Sequence, residues 1–439
     1  MTHQSENPPN GREKTSTAGL VSWAFYDWAN SAYITVIQTF VFSAYFTRSV
    51  AVDANTGSAL WGNAIGMAGL LVAVCGPILG AIADQTGRRK PWIIWFTLLC
   101  VICSGLLWFV RPDTAYVWTA LLLIGLSTLG FEFASIFYNA MLPDLVPPHR
   151  IGRWSGWGWA LGYAGGLACL ILALLAFVDG ENSWFRFNRD NAQHIRATFL
   201  LVAGWFLLFS LPLFLITPDK ERRAIPWRKA VSLGMRQLYH SVREIRRYSN
   251  IVRFLVARMI FVDGLATLFV FGGIYAATVF EMTERDVLLF GIGLNVTAGV
   301  GAALFSFLDD RLGAKTTIIA SLVGLAGSTL LILTVTSQIH FWIYSLVLGI
   351  FVGPCQASGR SYLARMAPAA LRNEMFGLFA LSGKATAFFG PLLVGWVTYL
   401  SGSQRLGMST ILLFFVVGFF LMLPVANDRK ISMAAEKKP

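Results

Sequence analysis

The chain has 439 residues, of which 56% are hydrophobic and 13% charged, and its mean hydropathy is +0.61. Soluble domains carry about 25% charged residues, so this composition excludes a soluble globular protein. A net charge of +12 would suit nucleic acid if it were gathered in a patch, but here it alternates from one loop to the next.

Apolar runs of bilayer-spanning length, about 20 residues, recur along the whole chain. They predict an all-α membrane protein of about twelve transmembrane helices, at 20–46, 60–83, 91–110, 115–139, 154–178, 197–217, 252–279, 286–308, 316–335, 340–362, 376–400 and 408–426. About 25 of the 35 Lys and Arg fall in one alternating set of loops that includes both tails and the 219–253 linker, the positive-inside pattern. It predicts cytoplasmic N- and C-termini and a cytoplasmic linker. The expected division is an N-terminal tail (1–19), a six-helix bundle (20–218), a basic amphipathic linker (219–251), a second six-helix bundle (252–427) and a C-terminal tail (428–439). Residues 1–19 are polar, and the first apolar run is too long for a signal-peptide core, so no cleavable signal is expected.

The first span carries a carboxylate, Asp27, which costs roughly 2.5–3.5 kcal/mol at membrane depth on insertion scales. At about 100° per residue, Asp27, Asn30, Ser31, Thr35 and Gln38 fall on one helical face, as they would beside a water-filled path. Trp23, Tyr26, Trp28 and Tyr33 crowd the same span. After the second span comes Gly76-x-x-x-Gly80-x-x-x-Asp84-x-x-Gly87-Arg88-Arg89. This run resembles the signature loop of the major facilitator superfamily. The resemblance implies two pseudo-symmetric six-helix halves, and it implies that Asp84, with Gly87 and Arg88, braces one access state through a helix N-terminus in the other half.

The five cysteines all fall within predicted spans, so no disulfide is expected. Cys100 and Cys103 have metal-ligand spacing but no nearby His or further Cys, and read as small packing residues. In the fourth span Glu132 shares a face with Thr128, Ser135 and Asn139. Gly158 and Gly162 in the fifth read as a helix-contact motif. In the linker Trp227, Val231, Met235, Leu238, Val242 and Ile245 recur at helical spacing, which predicts an amphipathic helix on the inner membrane surface.

The second half echoes the first. Asp263 in the seventh span answers Asp27, and Asp310-Arg-Leu-Gly313-Ala314-Lys315 answers the Asp84 turn, so Asp310 joins the gating candidates. Asp263 shares a face with Thr267 and Thr278. Arg258, nearer the inner surface, can snorkel or brace a gate. Arg360 in the tenth span shares a face with Gln356, Gly353 and Gly349. Lys384 in the eleventh stands alone on an apolar face, and needs a counter-ion from another helix or loses its proton.

Trp23-Ala-Phe-Tyr-Asp27-Trp-Ala-Asn30-Ser31-Ala, Phe137-Tyr-Asn139-Ala-Met-Leu-Pro143-Asp144 and Leu381-Ser-Gly383-Lys384-Ala-Thr-Ala-Phe-Phe-Gly390-Pro391 together resemble the vacuolar-effluxer-like family. Its fungal members are autophagy-related amino-acid exporters. Two positions depart from the family pattern: Val262 stands where an Asn usually precedes the acid, and Gly359 where a Ser precedes Arg360.

The reading is a secondary transporter of a small polar solute in a prokaryotic cytoplasmic membrane, working by alternating access. The resemblance implies an amino acid or similar metabolite, exported. Asp27, Glu132 and Asp263 are the candidate proton or cation sites. Asn30, Tyr33, Gln38, Gln356, Arg360 and Lys384 are the candidate substrate contacts. The partners expected are the solute, protons and membrane lipid, with no nucleic acid, no metal and no cofactor, and the chain is expected to act as a monomer. No nucleophile–base pair or nucleotide loop suggests an enzyme. An uncoupled facilitator, a lipid scramblase and a non-transporting receptor or scaffold remain as alternatives.

Overall fold

The computed structural model describes residues 15–178, 184, 185, 187, 191–221, 223, 225–243 and 245–428. Most of both predicted tails, and the side chains of Trp227, Val242 and Ile245 in the linker, lie outside the described residues. Among the described residues the fold is all-helical. The helices are α1 (Thr17–Ala32), α2 (Ala54–Thr86), α3 (Lys90–Leu106), α4 (Val117–Leu145), α5 (Ile151–Ala173), α6 (Gln193–Ile216), α7 (Trp227–Arg243), α8 (Ser249–Val279), α9 (Glu284–Leu312), α10 (Ala314–Thr334), α11 (Gln338–Met366), α12 (Arg372–Lys384), α13 (Phe389–Ser401) and α14 (Gln404–Met422). Eleven of the helical segments, with α12 and α13 taken together, are long and apolar enough to cross a membrane.

The twelfth span is the polar first one, and it is not a single α-helix. Past Ala32 the chain widens into π-helical turns over Tyr33–Phe40 and Phe46–Val50, with a short α-turn at Phe42–Tyr45 between them. A β-branched run, Ile34-Thr-Val-Ile37, crowds a normal turn, and Thr39 donates its hydroxyl to the Ile34 carbonyl at 2.9 Å. The widened turns re-aim the side chains, so the polar stripe expected at 100° per residue divides. Ser31 and Thr35 pack toward Gly162 and Gly166 of α5, whereas Gln38 donates to Thr128 of α4 at 2.9 Å.

The eleventh span is also discontinuous. It breaks over residues 385–388, between α12 and α13, in the stretch bounded by Gly383 and by Gly390-Pro391. Several helices run past their apolar stretches at one end: α4 continues to Leu145, and α11 to Met366. Hydropathy stops where Asp144 and Arg365 begin, but both charges are paired there and stay in the helix.

The two halves repeat their end-capping chemistry. Asp219, just past α6, accepts from the Arg89 and Lys90 amides at the start of α3, and Lys90 donates its ammonium to the Phe214 carbonyl at 3.1 Å. Asp428, past α14, accepts from the Ala314 and Lys315 amides at the start of α10, and Lys315 donates to the Leu423 carbonyl at 2.7 Å. Helix α7 packs beneath the linker end of α2, where Gly234 lies against Ala81 and Ile82. It therefore presses on protein along that side as well as facing outward.

Candidate functional site

The side chains predicted as buried charges meet across the two halves. Arg360 of α11 donates through Nη1 to Asp27 Oδ2 of α1 at 2.9 Å and to Asn139 Oδ1 of α4 at 3.2 Å. Its Nε reaches Ser155 Oγ at 2.9 Å, and Nη2 reaches the Ser155 carbonyl at 2.6 Å. The guanidinium also lies 5.1 Å over the Trp23 ring. Arg360 is 3% exposed and its donors are engaged, so it offers a solute nothing unless this network opens. A methyl at Gly158 would stand 2.5 Å from Asp27 Oδ2 and 2.8 Å from Arg360 Nη2, so only glycine permits the close approach of α5.

Lys384, at the end of α12, finds its counter-ion in Glu132 of α4 at 2.7 Å. This pair also joins the halves, and it is more open, with the lysine side chain 33% exposed. Asp263 of α8 is the acid without a basic partner among the described residues. Its Oδ2 accepts from the Gly390 amide at 3.2 Å, capping α13 at the break, while Oδ1 is buried with no hydrogen-bond partner. At 1.5 Å per residue from the linker-side end of each helix, Arg360 lies about 9 Å deep, Asp27 about 15 Å, Lys384 about 18 Å, Glu132 about 20 Å and Asp263 about 21 Å. The apolar core is about 30 Å thick, and since α4 and α11 run past their apolar stretches, Arg360 lies near its linker-side boundary and the other four lie further in.

The remaining predicted contacts are more local. Tyr33 is fully buried, with its hydroxyl 2.8 Å from Ser127 and 3.0 Å from Thr128. Gln38 joins that cluster, and Asn30 is buried next to Ser31, from which it accepts at 3.4 Å. Gln356 of α11 accepts from Tyr163 of α5 at 2.8 Å, a further link between halves.

At the linker side, Asp84 caps α12. It accepts from the Asn373 amide at 3.2 Å, the Asn373 side chain at 2.8 Å and the Glu374 amide at 3.0 Å. Gly87 holds φ at 85°, a backbone that favours glycine. Arg88 is exposed, and the buried member of the pair is Arg89, which donates to Asn373 at 2.8 Å and pairs with Asp144. Arg372 and Lys220 converge on the same Asp144 carboxylate. Burial, and the nearby Arg89, lower the Lys220 ammonium below its usual value, while Asp144 opposes that shift. In the second half Asp310 meets Arg365 at 3.3 Å and Arg153 at 3.6 Å. Its neighbour Asp309 is the more central: it meets Arg365 at 2.6 Å and Ser361 at 2.6 Å, and it lies against Gly152 near the start of α5. Asp310 is the acid that faces the Arg153 backbone amide in the first turn of α5, the place Asp84 takes at α12, and Asp309 supports it from the Arg365 side.

The description "Vacuole effluxer Atg22 like" belongs to the family model that matches residues 15–153 and 149–435. The chain belongs to this Atg22-like family. The MFS-type transporter YxiO of Bacillus subtilis is 27% identical over 95% of this chain and 96% of its own length. Autophagy-related protein 22 of Kluyveromyces lactis is 23% identical over 75% of this chain and 71% of its own. Among solved structures, the fucose transporter FucP in the outward conformation superposes with a TM-score of 0.71 at 14% identity, covering 93% of this chain and 98% of FucP. The human organic anion transporter MFSD10 does so at 0.68 and 16% identity, over 95% and 100%. The twelve-helix arrangement is thus the major facilitator fold, and this Atg22-like protein is a multi-pass membrane transporter.

Sequence reasoning missed Asp144, Asp309 and Arg89 as the centres of the linker-side networks, and it missed which acid pairs with which base. The acid doublet Asp309-Asp310 and the basic doublet Arg88-Arg89 were visible, but packing decides that both acids meet Arg365 and that only Arg89 of the basic pair turns inward. Arg258 proves to sit between α8 and α12, donating to the Phe379 carbonyl and the Ser382 hydroxyl, both at 2.7 Å. It is held by protein and does not snorkel outward.

Proposed function

We propose that this Atg22-like transporter moves a small polar metabolite, an amino acid or a compound of similar size and polarity, out of the cell across the cytoplasmic membrane, as a monomer coupled to protons. The observation that carries the reading is the pair of buried ion pairs within the predicted spans, Asp27–Arg360 and Glu132–Lys384, each joining one half of the molecule to the other. Alternating access requires the halves to rock about a central site, and a charge pair across that seam couples the rocking to ionisation. When Asp27 or Glu132 takes up a proton, its base loses a counter-ion, and the seam weakens at that point. Asp263 supports the same reading from the other side: a buried acid lacking a cation gives up or binds a proton as the α12–α13 break rearranges.

The charge distribution over the loops supports a cytoplasmic linker side. On that assignment the capped and ion-paired linker ends form a closed cytoplasmic gate. Reconstituted into proteoliposomes, the protein is expected to move solute in response to an imposed pH gradient. Asp27→Asn should abolish that response while leaving the thermal unfolding profile cooperative. Flux that ignores the gradient in both proteins would overturn the coupling and leave a facilitator.

A further inference from the structure

We propose that Arg258 is the receptor for a carboxylate on the transported solute, an inference that rests on the transporter reading above. Three bases lie inside the predicted spans, and two of them have acids. Arg360 has Asp27, and Lys384 has Glu132. Arg258, about 14 Å into α8 at 1.5 Å per residue, has no carboxylate within 4 Å among the described residues.

Its surroundings hold the guanidinium without neutralising it. Nη1 donates to the Phe379 carbonyl and the Ser382 hydroxyl, both at 2.7 Å. The group lies 3.4 Å over the Phe379 ring. Both acceptors are uncharged and both use one nitrogen, which leaves the Nε–Nη2 edge without an acceptor among the described residues. That edge is the one whose paired donors match the two oxygens of a carboxylate.

Glycine backbone, and no side chain, lies against it on two sides. A methyl at Gly359 would stand 3.9 Å from Nε, and one at Gly383 would stand 3.2 Å from Nη1 and 3.5 Å from Nη2. Two glycines on two different helices thus keep side chains off the guanidinium on those sides. Gly383 also precedes Lys384, whose side chain is a third exposed while paired to Glu132. Lys384 keeps Glu132 as its own partner, so the single charge of the guanidinium has no carboxylate within 4 Å among the described residues, which fits one carboxylate better than a doubly charged phosphate.

The test uses the purified full chain in detergent. The probes are a panel of L-amino acids and short monocarboxylates, each beside its carboxamide, and the readout is the melting temperature against probe concentration. Wild-type protein is expected to be stabilised by at least one acid and not by the matching amide. Arg258→Gln should raise the half-saturating concentration of that acid by roughly tenfold or more, the loss of a charged hydrogen-bonded pair. Arg258→Lys should bind more weakly than wild type and still prefer the acid to the amide, and it carries the test if Arg258→Gln does not fold. An unchanged half-saturation in the variants, equal binding of acid and amide, or no response to any acid overturns the proposal. Flux of an uncharged solute through wild-type proteoliposomes would leave the transporter reading standing and remove this one. Carboxylate binding without flux in any gradient would do the reverse.

Discussion

A buried carboxylate is tolerated when its partners are good, and Asp27 has Arg360 at 2.9 Å with Asn139 and Ser155 completing the guanidinium's bonds. Removing only the base leaves the acid stranded. Arg360→Ala should lower stability by about 3–5 kcal/mol, and adding Asp27→Asn should recover part of that loss in a double-mutant cycle of thermal unfolding in detergent. A double-variant loss equal to the sum of the two single losses would mean that the pair contributes no coupling. The more open Glu132–Lys384 pair should show the smaller effect, nearer 1 kcal/mol, because solvent screens it. Asp263→Asn keeps an oxygen for the Gly390 amide, so stability should change by about 1 kcal/mol or less, while the pH-gradient response of flux should fall. Retained gradient response would remove Asp263 from the coupling role.

Helix ends and helix breaks carry the next level. Asp84 reaches across to the first turn of α12, and the approach depends on Gly80, where a methyl would stand 2.6 Å from the Asn373 carbonyl carbon and 2.8 Å from the Glu374 nitrogen. Backbone cannot yield there as a flexible side chain would. Gly80→Val should therefore push α2 and α12 apart and speed hydrogen exchange at the Asn373 and Glu374 amides; unchanged protection would show that the contact is not needed for closure. Helix α7 reinforces the same seam: Gln237 touches Gln85 of α2 and donates to Glu374 of α12 at 2.9 Å. The break between α12 and α13 is the opposite device. It leaves an amide free at membrane depth, which a bilayer tolerates only where protein satisfies it, and Asp263 does so.

At the scale of the molecule, the linker ends of the halves are held together by Asp84 with α12, by Asp144 with Arg372, and by Asp310 with Arg153. A transporter that alternates must part these contacts once per cycle. Tethering Arg153→Cys to Asp310→Cys with a short cleavable bifunctional thiol reagent, with the five native cysteines replaced, should stop flux, and cleaving the tether should restore it. Undiminished flux in the tethered protein would rule out opening at that seam.

How far the sequence reaches can be judged residue by residue. Span count and class followed from composition and run length alone, because a bilayer demands about 20 apolar residues whatever the fold. The Asp84 turn was legible because Gly87 permits the tight turn locally, while the brace of Asp84 on a helix of the other half followed from the resemblance to the superfamily's signature loop. The polar stripe of the first span was half legible: Asp27 does face the other half, but π-helical turns past Ala32 send Gln38 elsewhere, and helical phase cannot be read through such a turn. The partners were not legible at all. Lys384 needs an acid on any sequence reading, yet nothing along the chain selects Glu132 over Asp263, since those acids lie on different helices and only packing sets the distance. The same holds for Arg258, whose lack of a carboxylate is a property of the assembled helices and of no single one. Local chemistry fixed the elements and their charges; the three-dimensional packing decided which charges met and which one was left open.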